Sequence, residues 1–164
     1  MSSHAANTQV NLPSLGALPL DFRGGFRSWV DREIQSGWGG VKLKLDAFEM
    51  SADSQSVGKV TLTATGDDTT ELSPVYILDN PESTYQGIWH FNWKMVIEKP
   101  PGGGGPMQMC SVQTAVLVND RLTAFPPQGA VYRLKQPVAF ARADAPNEIV
   151  ASIHTFDATV AHNP

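Results

Sequence analysis

A chain of 164 residues is long enough for one domain with a substantial core, and its single cysteine, Cys110, excludes an internal disulfide framework. The net charge is −4, and neither the first 22 nor the last 22 residues contain Lys or Arg, which excludes nucleic-acid binding through a basic tail. Charged residues make up only 17%, against about 25% in a typical chain, while 14 glycines and 12 prolines call for many turns and oppose a mostly helical fold.

Residues 1–20 are polar and proline-containing, with apolar beads at Val10, Leu12, Leu15, Leu18 and Leu20. Pro13 and Pro19 preclude a regular helix through them. Five scattered aliphatics exceed what a solvating tail needs, so the segment reads as an extended N-terminal arm laid on this or a neighbouring subunit. It has neither a basic n-region nor an apolar h-region, and no apolar run in the chain approaches the roughly 20 residues of a membrane helix. A cytoplasmic location is expected, alone or within a virion or another intracellular assembly.

Phe26, Trp29, Val30 and Ile34 form an i, i+3, i+4, i+8 stripe that predicts one short helix over about Phe26 to Ser36, with Gly37 as its C-terminal cap. From Val41 the period becomes two. Val41, Leu43 and Leu45 give way to Phe48 and Met50, a phase slip that predicts a β-bulge near Ala47. Val60, Leu62 and Ala64 alternate with threonines as a half-exposed strand. Between Asp46 and Glu82 eight carboxylates (Asp46, Glu49, Asp53, Asp67, Asp68, Glu71, Asp79, Glu82) face one cation, Lys59. A solvated acidic edge is the plain reading, and a calcium or cationic-partner site its rival.

The stretch Gln86 to Val118 predicts a long β-hairpin. Trp89, Phe91, Trp93, Met95 and Ile97 occupy every second position and share one face. The connection from Lys99 to Pro106 is rich in glycine and flanked by prolines, which suits an exposed loop better than a phosphate cradle. On the return strand Cys110, Val112, Val116 and Val118 share a face, which predicts an inert buried thiol. Asn119-Asp120 reads as a turn. Tyr132, Leu134, Val138 and Phe140 form another alternating set, and a final strand spans Glu148 to Ala161.

These elements predict an all-β fold: an antiparallel β-sandwich, or a jelly-roll-like or flattened barrel, of seven to eight strands with one short N-terminal helix. The domain division is an arm at 1–20 and a single β domain at 21–164. Catalytic, cofactor and metal signatures are missing: there is no Gly-x-Ser-x-Gly, His-Glu-x-x-His, Gly-x-x-x-x-Gly-Lys-Ser/Thr or Cys-x-x-Cys. His90 and His154 could serve chemistry only by pointing into one cavity. The expectation is a non-enzymatic structural protein without cofactors, partnered by copies of itself in a homo-oligomer, shell or filament such as a viral coat or matrix subunit or a bacterial inclusion protein. Val10, Leu12, Leu15, Leu18 and Leu20 would form its assembly arm. The alternative is a small lectin-like β-sandwich module with carbohydrate as partner, stacking sugar rings on Trp38, Trp89 and Trp93.

Overall fold

A computed structural model of the chain describes residues 1–30, 40–64, 73–77 and 84–162. Its strands are β1 (Ser2–Leu12), β2 (Gly16–Val30), β3 (Gly40–Ser54), β4 (Gly58–Ala64), β5 (Ser73–Ile77), β6 (Tyr85–Phe91) and β7 (Trp93–Ile97), followed by β8 (Met107–Ser111), β9 (Ala115–Leu122), β10 (Gln128–Leu134), β11 (Val138–Arg142), β12 (Ala145–Ile153) and β13 (Asp157–Ala161). The all-β antiparallel expectation holds. The finer count does not, because thirteen strands among the described residues lie in one sheet, in the order β12-β11-β8-β7-β4-β3-β2-β1-β13-β10-β9-β6-β5. Two further pairings, β12–β1 and β3–β5, close that sheet on itself. Closure removes the free edges that an open sheet would expose.

Four runs of chain are each interrupted once, between β6 and β7, β8 and β9, β10 and β11, and β12 and β13. The interruptions line up, since β7, β8, β11 and β12 are neighbours on one side of the crease and β6, β9, β10 and β13 on the other. Side chains cover the ladder bonds lost there. The Trp93 backbone N–H donates to Ser111 Oγ (3.0 Å), and Thr114 Oγ1 donates to Asn92 Oδ1 (3.0 Å). Sequence alternation runs straight through Asn92, so one long strand is the natural reading of what the structure divides in two.

The expected N-terminal helix is also corrected. Phe26 to Val30 belong to β2, with Phe26 opposite Phe48 and Trp29 opposite Lys44; residues 31–36 of the expected helix lie outside the described residues. Leu20, Phe22 and Phe26 are buried while Trp29 and Val30 are exposed, a period of two rather than 3.6. Gly24 and Gly25 sit within this strand because a Cβ at Gly24 would strike the Glu49 carbonyl and one at Gly25 the Met1 carbonyl. The bulge near Ala47 is present: the register slips between the pairs Arg27–Ala47 and Ser28–Leu45.

Residues 1–20 form β1 and the start of β2, joined by a turn at Pro13 to Leu15. Val10, Leu12 and Leu20 are buried in the common core and Leu18 packs against it, whereas Leu15 is exposed. β1 pairs with β2 on one side and with β12 and β13 on the other. The Met1 amine donates to the Phe26 carbonyl at 2.8 Å, and the Phe26 N–H donates back to the Met1 carbonyl at 3.0 Å. These residues are barrel wall rather than an arm reaching for a neighbour. Pro19 is tolerated because β2 begins to pair with β3 only at Arg23, so its missing N–H faces no strand on that side.

The long hairpin is as expected, with β7 paired to β8 and β6 to β9. On its return strand, however, the inward set is Met109, Ala115 and Leu117, while Val112 and Cys110 are exposed. The Asn119-Asp120 pair lies inside β9 and is not a turn. Among the described residues no helix is long and apolar enough to cross a membrane.

Candidate functional site

The inward face of β6 and β7 builds an aromatic ladder through the barrel. Trp89, Phe91 and Trp93 stand two residues apart, and their rings are nearly parallel: 6.4 Å and 20° between the first pair, 6.0 Å and 19° between the second. The opposite wall packs against them in sequence. Phe26 meets Trp89 edge-on at 4.7 Å, Phe48 lies 4.7 Å from Phe91, and Phe156 lies 5.1 Å from Trp93. Tyr132 of β10 closes one end, 6.3 Å from Trp89. Gly87 makes room for it, since a Cβ there would come within 2.5 Å of the Tyr132 hydroxyl.

These rings carry polar tips. Trp89 Nε1, Trp93 Nε1 and the Tyr132 hydroxyl are buried with no hydrogen-bond partner among the described residues. Each such group costs about 1–3 kcal/mol if nothing replaces the water it lost. Burial pushes the Tyr132 phenol above the usual tyrosine range, and the nearby Trp89 indole N–H pulls it partly back. This Trp89–Tyr132 contact falls short of hydrogen-bond geometry. Tyr132 is the one titratable side chain among the buried described residues.

The ligand-platform tryptophans therefore sit differently from expectation. Trp89 is 1% exposed and Trp93 0%, so neither offers a surface on which a sugar could stack; Trp38 lies outside the described residues. The histidines stay out of the interior. His90 alternates with the inward Trp89 and Phe91, and His154 is exposed against Ser152 (3.1 Å). Asp46 pairs with Arg27 at 2.9 Å, while Asp67, Asp68, Glu71, Asp79 and Glu82 lie outside the described residues. No three His, Cys, Asp or Glu side chains among the described residues gather in a metal-holding group. What the sequence reading missed is that the aromatic face is polar at its tips, a property that becomes visible only when partners can be checked.

No protein-family model matches the chain, and no curated protein matches it. Among solved structures it is similar to DynF from the dynemicin biosynthesis pathway of Micromonospora chersina, with a TM-score of 0.78 and 18% identity over 98% of this chain and 78% of that one. The expected self-assembling shell or filament subunit, its lectin-like alternative and the non-enzymatic assignment are overturned together: the supposed arm is barrel wall, the supposed platform is core, and the fold is shared with a biosynthetic-pathway protein.

Proposed function

We propose that this chain is an enzyme-like, small-molecule-binding protein of a biosynthetic pathway, with its site inside the barrel along the aromatic ladder. The observation that carries this reading is the set of three buried donors, Trp89 Nε1, Trp93 Nε1 and Tyr132 Oη, that no described residue satisfies. Buried polar groups are almost always bonded, and those left over are candidates for a ligand or ordered water. Closed barrels commonly keep small molecules in their interiors. The fold shared with DynF, a protein from a biosynthetic pathway, supports the same reading.

The rings and their polar tips set the chemistry of the ligand. Stacked and edge-on rings favour a flat, mostly apolar body, and three donors favour carbonyl or ether oxygens on it. Tyr132 adds the chemistry. Neutral near pH 7 and kept so further into the alkaline range by burial, its hydroxyl donates a hydrogen bond to a ligand oxygen.

Calorimetric titration of the full chain with 1-indanone and with indane tests the proposal. The two share a ring skeleton, but only the ketone offers an acceptor. The ketone should bind about tenfold more tightly, as one or two good hydrogen bonds provide. Equal affinity for the two, or no binding of either, would refute the site.

A further inference from the structure

The outer face of β6, β9 and β10 carries a second feature. It is separate from the ladder, because alternate side chains of a strand point to opposite sides of the sheet. The register sets Ile88 opposite Val118, and Val118 opposite Arg133. The Lys135 N–H donates to the Val116 carbonyl at 2.9 Å, which fixes Lys135 beside that row. Ile88 and Val118 form an apolar floor, and Arg133 and Lys135 stand along one side of it. The groove encloses about 690 Å³, within the roughly 300–1,000 Å³ typical of small-molecule sites.

A third cation arrives through a bulge. Between the pairs Tyr85–Leu122 and Gly87–Asn119, two steps along β6 match three along β9. Unbroken alternation from Ala115 and Leu117 would send Arg121 inward and Leu122 outward. The bulge reverses this, burying Leu122 and turning Arg121 to the groove. Asn119 holds the irregularity from both sides: its Oδ1 accepts from the Arg121 N–H at 2.8 Å, and its Nδ2 donates to the Val131 carbonyl at 2.9 Å. Two local acids share these surroundings: Asp120 lines the groove and Asp157 sits against Arg133. Asp120 accepts from Gln86 Nε2 at 2.6 Å, and Asp157 lies 3.7 Å from Arg133 Nε. Among the described residues neither Arg121 nor Lys135 has an ion pair. In a chain of net charge −4 this clustering of cations over an apolar floor is local and specific.

We propose that the groove binds a small organic carboxylate with an apolar body, seating the body on Ile88 and Val118 and the carboxylate between Arg121, Arg133 and Lys135. Guanidinium forks match the planar carboxylate and exclude its neutral amide. The site is independent of the interior one, and its test separates the two. Calorimetric titration of the full chain at low salt compares 2-naphthoate with 2-naphthamide. Naphthoate should bind at least about tenfold more tightly, and added salt should narrow the gap. The R121Q/K135Q double variant, which leaves the Arg133–Asp157 contact in place, should lose about tenfold or more for naphthoate and nothing for the amide. The same double variant should bind 1-indanone like the parent. Both substituted side chains are exposed, and circular dichroism should show the variant folded like the parent. Equal affinity for acid and amide, no naphthoate binding at low salt, or undiminished naphthoate affinity in R121Q/K135Q would overturn the proposal.

Discussion

Replacing Trp93 by phenylalanine isolates the cost of a buried donor. Trp93 is fully buried, 6.0 Å from Phe91, 6.2 Å from Phe48 and 5.1 Å from Phe156. A phenyl ring can keep much of that packing but sheds apolar surface equivalent to about two methylenes, or roughly 1.5 kcal/mol. Against this, removing an unbonded buried N–H returns about 1–3 kcal/mol. The two effects nearly cancel. Ligand-free W93F should therefore lie within about 1.5 kcal/mol of the parent in urea unfolding, whereas W93A, which only opens a cavity, should lose about 3–5 kcal/mol. In saturating 1-indanone the parent should gain more stability than W93F, because ligand stabilisation grows with the logarithm of the affinity for the folded state. If W93F proves as costly as W93A without ligand, its N–H is bonded in the folded protein and the reasoning fails.

Three further outcomes follow from the same structure. Removing residues 1–12 strips a strand paired on both sides and takes the buried side chains of Ala5, Val10 and Leu12 out of the core, so the truncated chain should lose its cooperative thermal transition; a truncated chain that melts like the parent would contradict the closed barrel. Gly87→Ala should destabilise by about 1–3 kcal/mol through its clash with the Tyr132 ring, and pairing it with Y132F should recover part of that loss in urea unfolding. The raised pKa of Tyr132 means the folded state holds this proton more tightly than the unfolded state. Its stabilising contribution should be complete below the ordinary tyrosine pKa of about 10 and decline as pH rises above it; the Y132F variant should show a flatter alkaline limb in urea midpoint against pH.

Regular alternation made the central hairpin legible. Trp89 to Ile97 keep one phase across Asn92, so their common face could be read without coordinates. The bulge near Ala47 was equally legible, because a phase slip is written into the order of apolar residues. The helix failed for a physical reason: Phe26, Trp29 and Val30 satisfy a helical stripe, yet two preceding glycines permit the close strand contacts that tertiary pairing imposes. Pro13 and Pro19 disguised β1 and β2 as an arm, since tolerance of Pro19 depends on where β3 begins to pair. Cys110 shares its parity with Val112, Val116 and Val118, which suggests an apolar interior on the side that in the structure faces outward. The cationic groove was beyond reach in sequence, as Arg121 turns outward only through the mismatch between β6 and β9. The donor set was likewise hidden, because indole nitrogens look the same in sequence whether or not they find partners.

The proposed interior site has the buried indole donors bonding a small molecule inside the barrel. The most direct measurement is the nitrogen–proton correlation spectrum of the tryptophan side chains, with the Trp89 and Trp93 Nε1–H signals assigned through W89F and W93F. Titration with 1-indanone should move at least one of these two signals downfield while the exposed Trp29 stays in place, and indane should leave both without that downfield shift. If the ketone binds while both buried indole signals stay fixed, or shifts only the signal of Trp29, the interior is not the site.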